Sequence, residues 1–329
     1  LLPGESLTLI IPAHNAARYL PACAKAIAHS TRRPDQILLV DDASTDDTAK
    51  LAAALGFTVL STSRQSGPAL ARNIGAEAAS GDLLFFLDAD CLVHPDTFAR
   101  AEARLASDPR LAALIGSYDT APEAPGFVSR FRNLLHSFHH HHGKAETFTF
   151  WGACGIVRKE AFFAAGGFDA NFTKPSIEDI EFGLRLYQRG QRIALDPTVQ
   201  IKHRKRWTLA SMIRTDIRDR AIPWTRLILE RAGLPNDLNL GLTQRLSAIA
   251  TLLAIATAFF SAKTTFILLF IVFALNLRFY RFLTRHWSLP AALASFPLHL
   301  LYFTYSALTF STITFLHKAG LLRAAARKH

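Results

Sequence analysis

Leu83-Leu84-Phe85-Phe86-Leu87-Asp88-Ala89-Asp90 is an apolar run that ends without a break in two acids. Five large apolar residues in a row suit a strand buried on both faces. Two acids spaced two apart point to the same side while the chain stays extended. The pattern has two precedents upstream. Leu7–Ile11 runs into Pro12-Ala13-His14-Asn15, and Gln36–Val40 runs into Asp41-Asp42-Ala43-Ser44. Between these runs lie stretches of helical composition: Ala16–Ala28 with Pro21 near its first turn, Asp46–Leu55 stopped by Gly56, and Ala69–Ala79 stopped by Ser80-Gly81. Thr58–Leu60 is a further short strand. Strands alternating with short helices predict a doubly wound α/β domain with a largely parallel sheet. Ligands bind such sheets beyond the carboxyl ends of the strands. Pro12–Asn15, Asp41–Ser44 and Asp88–Asp90 all fall there.

The rest of the chain has a different composition. Of 329 residues, half are apolar and 19% charged, which excludes disorder as the main state. The formal net charge of +11 suits nucleic acid, phosphorylated ligands or an anionic membrane face. Cys23, Cys91 and Cys154 lie far apart without a CxxC, so neither a disulfide framework nor a zinc ribbon is indicated. No 20–50-residue repeat is present, and no basic-plus-apolar leader is visible, which sets a cytoplasmic expectation for the first two-thirds. Leu246–Phe260, Phe266–Leu277 and Ala291–Leu316 are apolar, interrupted by Lys263 and by the basic stretch Arg278–His286. These predict two or three transmembrane helices over 243–318, followed by a basic tail at 319–329. Segment 206–242 is expected to lie at the membrane border. Gln200–Arg231 carries nine Lys/Arg and three acids, interleaved with Trp207, Met212, Ile217 and Trp224, a pattern of interfacial amphipathic helices. No nucleic-acid-binding module accompanies that charge, so nucleic acid is not expected as a partner.

The acidic clusters carry the chemistry. Hard divalent cations take oxygen ligands and often bridge a carboxylate to a phosphate, so Asp88 and Asp90 at a strand end are candidate metal ligands. Ser44 or Thr45 is expected to cap the following helix, which frees Asp41 to accept a hydrogen bond. Glu178-Asp179 opens an amphipathic helix that ends at Gly190. Acids there are often only partners of the helix dipole, but the glycine-framed turns Trp151-Gly152-Ala153-Cys154-Gly155 and Gly166-Gly167-Phe168-Asp169 precede them and allow close backbone approach to a ligand.

Taken in order, these motifs resemble the family-two inverting glycosyltransferases of GT-A fold. They comprise Ile10–Asn15, Val40–Asp46, Gly67 to Gly75 with Ala71-Arg72-Asn73, Leu87–Asp90, Gly152–Arg158, Gly166–Asp169 and Glu178-Asp179. The likeness covers about residues 6–205, so the GT-A domain is set at 1–205, and the apolar tail is similar to that of membrane-attached members. The resemblance implies the following roles. Pro12, His14 and Asn15 lie against the nucleobase of a nucleotide-sugar donor, and Asp41 hydrogen-bonds that base. Asp88 contacts the ribose or the metal. Asp90, with Asp88 and His203, holds Mn²⁺ or Mg²⁺. Asp179 is the general base, and Glu178 orients it or touches the acceptor, a lipid or lipid-linked glycan. Arg206 and Trp207 contact diphosphate or acceptor. Processive synthases carry Q-x-x-R-W, whereas this chain reads His203-Arg204-Lys205-Arg206-Trp207, so a non-processive enzyme is expected. Ala16 also replaces the acid common after the first motif. His139–His142 is expected in a mobile acceptor-side loop.

Two other readings stand beside this one. Asp88-Ala89-Asp90 after an apolar strand also resembles the nucleophile loop of HAD-type phosphatases, although that loop normally closes the first strand and position 92 is Leu. A non-catalytic membrane scaffold that retains the fold is the third.

Overall fold

The computed structural model describes residues 5–230 and 241–321. They form two compact units: one holds residues up to 124 with 140–205, the other 125–139 with residues from 206 onward. Residues 125–139, expected inside the first domain, group with the helical unit. There Phe131, Leu134 and Leu135 are buried with Phe279 and Leu283.

The first unit runs β1 (Leu7–Ala13), α1 (Leu20–Ala28), β2 (Gln36–Asp41), α2 (Thr48–Ala54), β3 (Thr58–Ser61), α3 (Pro68–Ala78), β4 (Leu83–Leu87), β5 (Cys91–Val93), α4 (Thr97–Ser107) and β6 (Leu111–Tyr118). After the body of α5 (Phe127–His141) it resumes with β7 (Glu146–Thr147), β8 (Cys154–Arg158), α6 (Lys159–Ala164), α7 (Glu178–Gln188) and β9 (Arg192–His203). Helix α1 begins four residues later than expected, where Pro21 fixes its first turn.

The strands lie in the order β3-β2-β1-β4-β8-β6-β9-β5, with β7 also on β9. The first four are parallel, but β8 runs against both β4 and β6, so the expected largely parallel sheet is mixed. Leu87 at the end of β4 pairs with Cys154 at the start of β8. A strand that starts at the edge where its neighbour ends has to run back. That register, with Ala13 beside Asp41, brings the ends of β1, β2 and β4 and the Trp151-Gly152 turn to one edge. At the far side, Cys91 of β5 pairs with His203 at the end of β9, which draws Asp90 toward His203.

Beneath this edge lies an aromatic cluster. Phe168 packs 4.8 Å from Phe182 and 5.2 Å from Phe86, and Phe150 lies 5.2 Å from Phe182. Rings of this size dominate core burial; here they fix α7 to the end of β4. Gly183 allows α7 to press on the 148–150 backbone, since a Cβ there would meet Phe150 N at 2.1 Å.

The second unit is helical: the body of α5, α8 (Leu209–Arg214), a π-helical turn (Thr215–Ala221), α9 (Ile222–Glu230), α10 (Leu242–Thr257), α11 (Ala262–Leu275), α12 (Leu277–His286), α13 (Leu289–Ala294) and α14 (Phe296–Lys318). Inside it, buried Asp216 accepts from Arg132 at 2.7 Å and from the Tyr305 hydroxyl at 2.6 Å. Among the described residues, Leu289–Lys318 is long and apolar enough to cross a membrane. The pair Ala262–Leu275 and Leu277–His286, bent by 62°, qualifies only if counted as one span, and Leu242–Thr257 is short. The count is therefore one, or two with the bent pair, where two or three were expected. Residues 231–240 of the border segment and 322–329 of the basic tail lie outside the described residues.

Candidate active site

At the end of β2, Asp41 is buried. Its Oδ2 accepts from Ser44 N at 3.4 Å, while Oδ1 has no hydrogen-bond partner. A buried acceptor left unpaired is costly, and it fits a ligand that brings an N–H. Neither Ser44 nor Thr45 caps α2 as expected. Ser44 Oγ accepts from Asn15 N at 2.9 Å, and Thr48 N at the start of α2 turns to Asp46 at 3.0 Å. Asn15 itself has φ +51° and accepts from Thr45 N at 2.8 Å. Those bonds tie the ends of β1 and β2 together.

His14 is part of the same brace. Its Nδ1 lies 2.8 Å from Asp42 O, which only accepts, so Nδ1 carries the proton. Nε2 then accepts from Asn15 Nδ2 at 3.2 Å. The exposed ring keeps its faces for a ligand. Pro12 is buried within β1 opposite Val40 and shapes the strand end instead of offering a face. Asp42 is fully engaged, accepting from Thr62 Oγ1, Ser66 N and Gly67 N at 2.7–3.0 Å. It anchors the loop into α3, where Gly67 has φ +91° and lies against Thr173.

Arg72 of α3 is the residue for which the sequence suggested no role. It is 4% exposed and spans two carboxylates: Nη2 meets Asp88 Oδ1 at 2.9 Å and Nη1 meets Glu178 Oε1 at 2.8 Å. Glu178 uses its other oxygen on Ser176 N at 2.8 Å, so it is occupied as a brace. The next residue, Asp179, has a different environment. Its Oδ2 accepts from Gly152 N at 3.0 Å and its Oδ1 from Ile180 N at 2.8 Å. Burial and the neighbouring Glu178 push its carboxyl up, Arg72 and the two N–H groups pull it down, and the balance lies at about 6. The adjacent Asn73 grips both backbone groups of Phe168, at 2.8 and 2.9 Å, and so fixes the Gly166-Gly167 turn.

On the other side, burial pushes the Asp88 carboxyl up, and the Asp90 charge adds to this against Arg72. Desolvation acts the same way on Asp90, but the hydrogen bond and charge of His203, together with Lys205, hold it below the usual carboxylate range. Asp90 Oδ2 lies 3.5 Å from His203 Nε2. Ligand atoms of Asp90, Cys91 and His203 all fall within 4.8 Å of one another. Cys91 is wholly buried and its thiol is pushed well above the ordinary range, so it stays protonated and is a poor ligand. Carboxylate oxygen with imidazole nitrogen suits Mn²⁺ better than Mg²⁺. Asp90 and His203 fit such an ion; Asp88, expected in the same set, is not among the converging ligand atoms and has its Oδ1 on Arg72.

The His203 ring stacks on Tyr118 at 4.6 Å and 8°; Tyr118 meets Trp151 edge-on at 4.8 Å, and Trp151 meets His140 at 4.7 Å. The histidine run is therefore not a mobile loop. His139–His141 end helix α5. His140 is buried, bonded to Gly116 O at 2.8 Å and pushed down to about 4 by desolvation, and His141 contacts Ser117 and Gln200. Arg206 and Trp207 fall in the second unit. Arg206 is exposed. Trp207 is 6% exposed and packs with Phe131 and Met212, so its ring serves that core and not a ligand.

Residues 8–163, which hold Asp41, Arg72, Asp88, Asp90 and Gly152, match the sequence profile of Glycosyl transferase family 2. This segment is a family 2 glycosyltransferase domain. An uncharacterized glycosyltransferase of Haemophilus influenzae is 26% identical over 195 residues, 55% of this chain and 62% of that protein. A PGL/p-HBAD biosynthesis glycosyltransferase of Mycobacterium bovis is 36% identical over 108 residues, 31% of this chain and 42% of that one. The chain thus spans less than two-thirds of these curated relatives. A mannosyltransferase of Pyrobaculum calidifontis, solved with GDP-Man and Mn²⁺, shares the fold at TM-score 0.63 and 22% identity, covering 89% of this chain and 87% of its own. The GT-A-like fold of the family 2 domain is thereby supported by structure as well as sequence, and the phosphatase alternative finds no counterpart among these likenesses.

Proposed function

We propose that this chain moves a sugar, with inversion, from a nucleotide-diphosphate sugar to a hydroxyl or phosphate of a membrane-associated acceptor, a lipid or lipid-linked glycan. The observation that carries the reading is Asp179: a carboxylate held by the Gly152 N–H, next to the Arg72–Glu178 pair, with its pKa raised to about 6. Such a group is ionised at neutral pH and is a stronger proton acceptor than an ordinary aspartate. Asp179 takes the proton of an acceptor hydroxyl while that oxygen bonds to the anomeric carbon. The opposite bond, to the diphosphate, breaks, and the nucleoside diphosphate leaves with the electron pair.

Other residues hold the donor. Asp41 Oδ1 accepts an N–H of the base, His14 and Asn15 flank it, and Asp88 takes a ribose hydroxyl or joins the metal set. Asp90 and His203 would hold Mn²⁺, which when bound neutralises charge on the diphosphate. The nucleotide sugar and Mn²⁺ held by the mannosyltransferase of like fold support this donor class and ion. Membrane attachment is supported by the candidate span Leu289–Lys318 and by strongly exposed Phe259, Phe260 and Phe266; a cytoplasmic catalytic domain is part of the proposal.

The test is a panel of UDP-, GDP- and dTDP-sugars offered to the purified chain with membrane lipid extract as acceptor. Release of a nucleoside diphosphate from one donor, dependent on Mn²⁺ or Mg²⁺, is expected. No turnover across the panel would favour the scaffold reading, and orthophosphate release from simple phosphate esters would favour a phosphatase.

A further inference from the structure

Residues 241–329 contain nine Lys/Arg and no Asp or Glu. Three of these cations sit on one short helix. Arg278, Arg281 and Arg285 of α12 are spaced i, i+3, i+7, which places them in one stripe, and all three are exposed. None has an ion pair or side-chain hydrogen bond among the described residues. The opposite face of α12 is buried: Phe279, Tyr280, Phe282 and Leu283 pack with Phe131, Leu135 and Met212 inside the same unit.

The helix before it has another character. Beyond Lys263 and two threonines in its first turn, α11 is apolar on every side, with Phe266 73%, Phe270 63% and Ile267 48% exposed. A helix apolar all round belongs in an apolar medium. Between the two, the chain bends by 62° at Asn276. The bend is built into the fold. The buried Asn276 amide donates to Val272 O, at the end of α11, and to Ser247 Oγ, both at 2.8 Å. At the other end of α12, Arg130 donates to His286 O at 3.1 Å.

We propose that α12 runs along the membrane surface and that the Arg278–Arg281–Arg285 stripe binds the anionic headgroups of bilayer phospholipids. This rests on the proposed membrane attachment. The argument is one of charge complementarity. The segment supplies no carboxylate of its own, so the counter-anion has to come from outside. The stripe begins three residues after the end of α11, whose exposed phenylalanines need lipid, and Leu289 and Leu293 are exposed just beyond it. Phosphate is the matching group for guanidinium, and at the rim of an apolar helix the phosphates present are those of lipid headgroups.

The experiment uses the full chain purified in detergent, with phosphatidylglycerol or phosphatidylcholine added to the micelles and thermal unfolding as readout. Phosphatidylglycerol is expected to raise the midpoint by roughly 2–6 °C, and phosphatidylcholine to leave it unchanged. The Arg278→Gln/Arg281→Gln/Arg285→Gln variant should match the wild-type midpoint in phosphatidylcholine, which shows that it is folded, and lose the phosphatidylglycerol increment. Lys25→Gln/Lys50→Gln/Arg100→Gln, which removes equal charge elsewhere, should keep it. Full retention of the increment in the stripe variant would overturn the proposal, as would an equal increment with inorganic phosphate alone. Carbonate extraction of cell membranes separates the two levels. A chain found in the soluble fraction overturns membrane attachment itself, whereas a carbonate-resistant chain blind to phosphatidylglycerol overturns only the stripe.

Discussion

Gly152 leaves the space that Arg72 fills: a Cβ on Gly152 would lie 2.8 Å from the guanidinium carbon. The same glycine donates its N–H to Asp179. Gly152→Ala should therefore displace Arg72 and loosen Asp179 together. A loss of about 1–3 kcal/mol of stability is expected from the overpacking, with a fall in kcat beyond that of a neutral surface variant. Chemical denaturation and initial rates measure the two effects separately.

Arg72 joins the end of β4 to the start of α7 through Asp88 and Glu178. Arg72→Met removes the partner of a buried Glu178 and should cost about 3–5 kcal/mol, the range for breaking a buried pair from one side. Arg72→Lys keeps the charge but not the two-armed geometry. It should fold better than Arg72→Met and still turn over slowly. Equal stability of Arg72→Met and wild type in urea titrations would contradict this account of the bridge.

Acid should silence the proposed sugar transfer at an unusual place. The Asp179 pKa is raised to about 6, and only the deprotonated form accepts a proton. Activity is therefore present above that pH and falls as pH drops through it, about tenfold per unit. The like charge of Glu178 helps to raise Asp179, so Glu178→Gln should move the acid limb of kcat/KM to lower pH. A limb that stays put or moves up would show that Glu178 does not set it.

The proposed metal ligand His203 is held from behind by aromatic packing. His203 stacks on Tyr118, so Tyr118→Ala should weaken Mn²⁺ binding about 10–100-fold, the range seen when ligand support is lost, and His203→Ala at least as much. Calorimetric titration of Mn²⁺ with a nucleoside diphosphate present reads both. Unchanged Mn²⁺ affinity in His203→Ala would remove that residue from the site.

Much of this architecture is written locally in the chain. The buried runs at 7–13, 36–41 and 83–87, each followed by a polar cluster, mark three strand ends, and the order of clusters marks a site shared between them. Strands β5 to β9 are not legible in this way. Their partners lie far away in sequence, and β8 follows a glycine turn with no helix before it. Arg72 was visible only as part of a motif, because its partners Asp88 and Glu178 are 16 and 106 residues away. Ser44 looked like a helix cap, since its position before Asp46-Asp47 favours one; Asn15, 29 residues upstream, takes its oxygen instead. The histidine run read as a loop because no periodic apolar face is obvious there, yet His140 is buried against Gly116 and Trp151.

The central claim, that Asp179 removes the acceptor proton, is tested most directly by Asp179→Asn. Binding of the nucleoside diphosphate with Mn²⁺ is measured by calorimetry and sugar transfer by single-turnover assay. The account predicts wild-type nucleotide affinity with transfer slowed roughly 10²–10⁴-fold and no residual acid limb near pH 6. Transfer at the wild-type rate would contradict it.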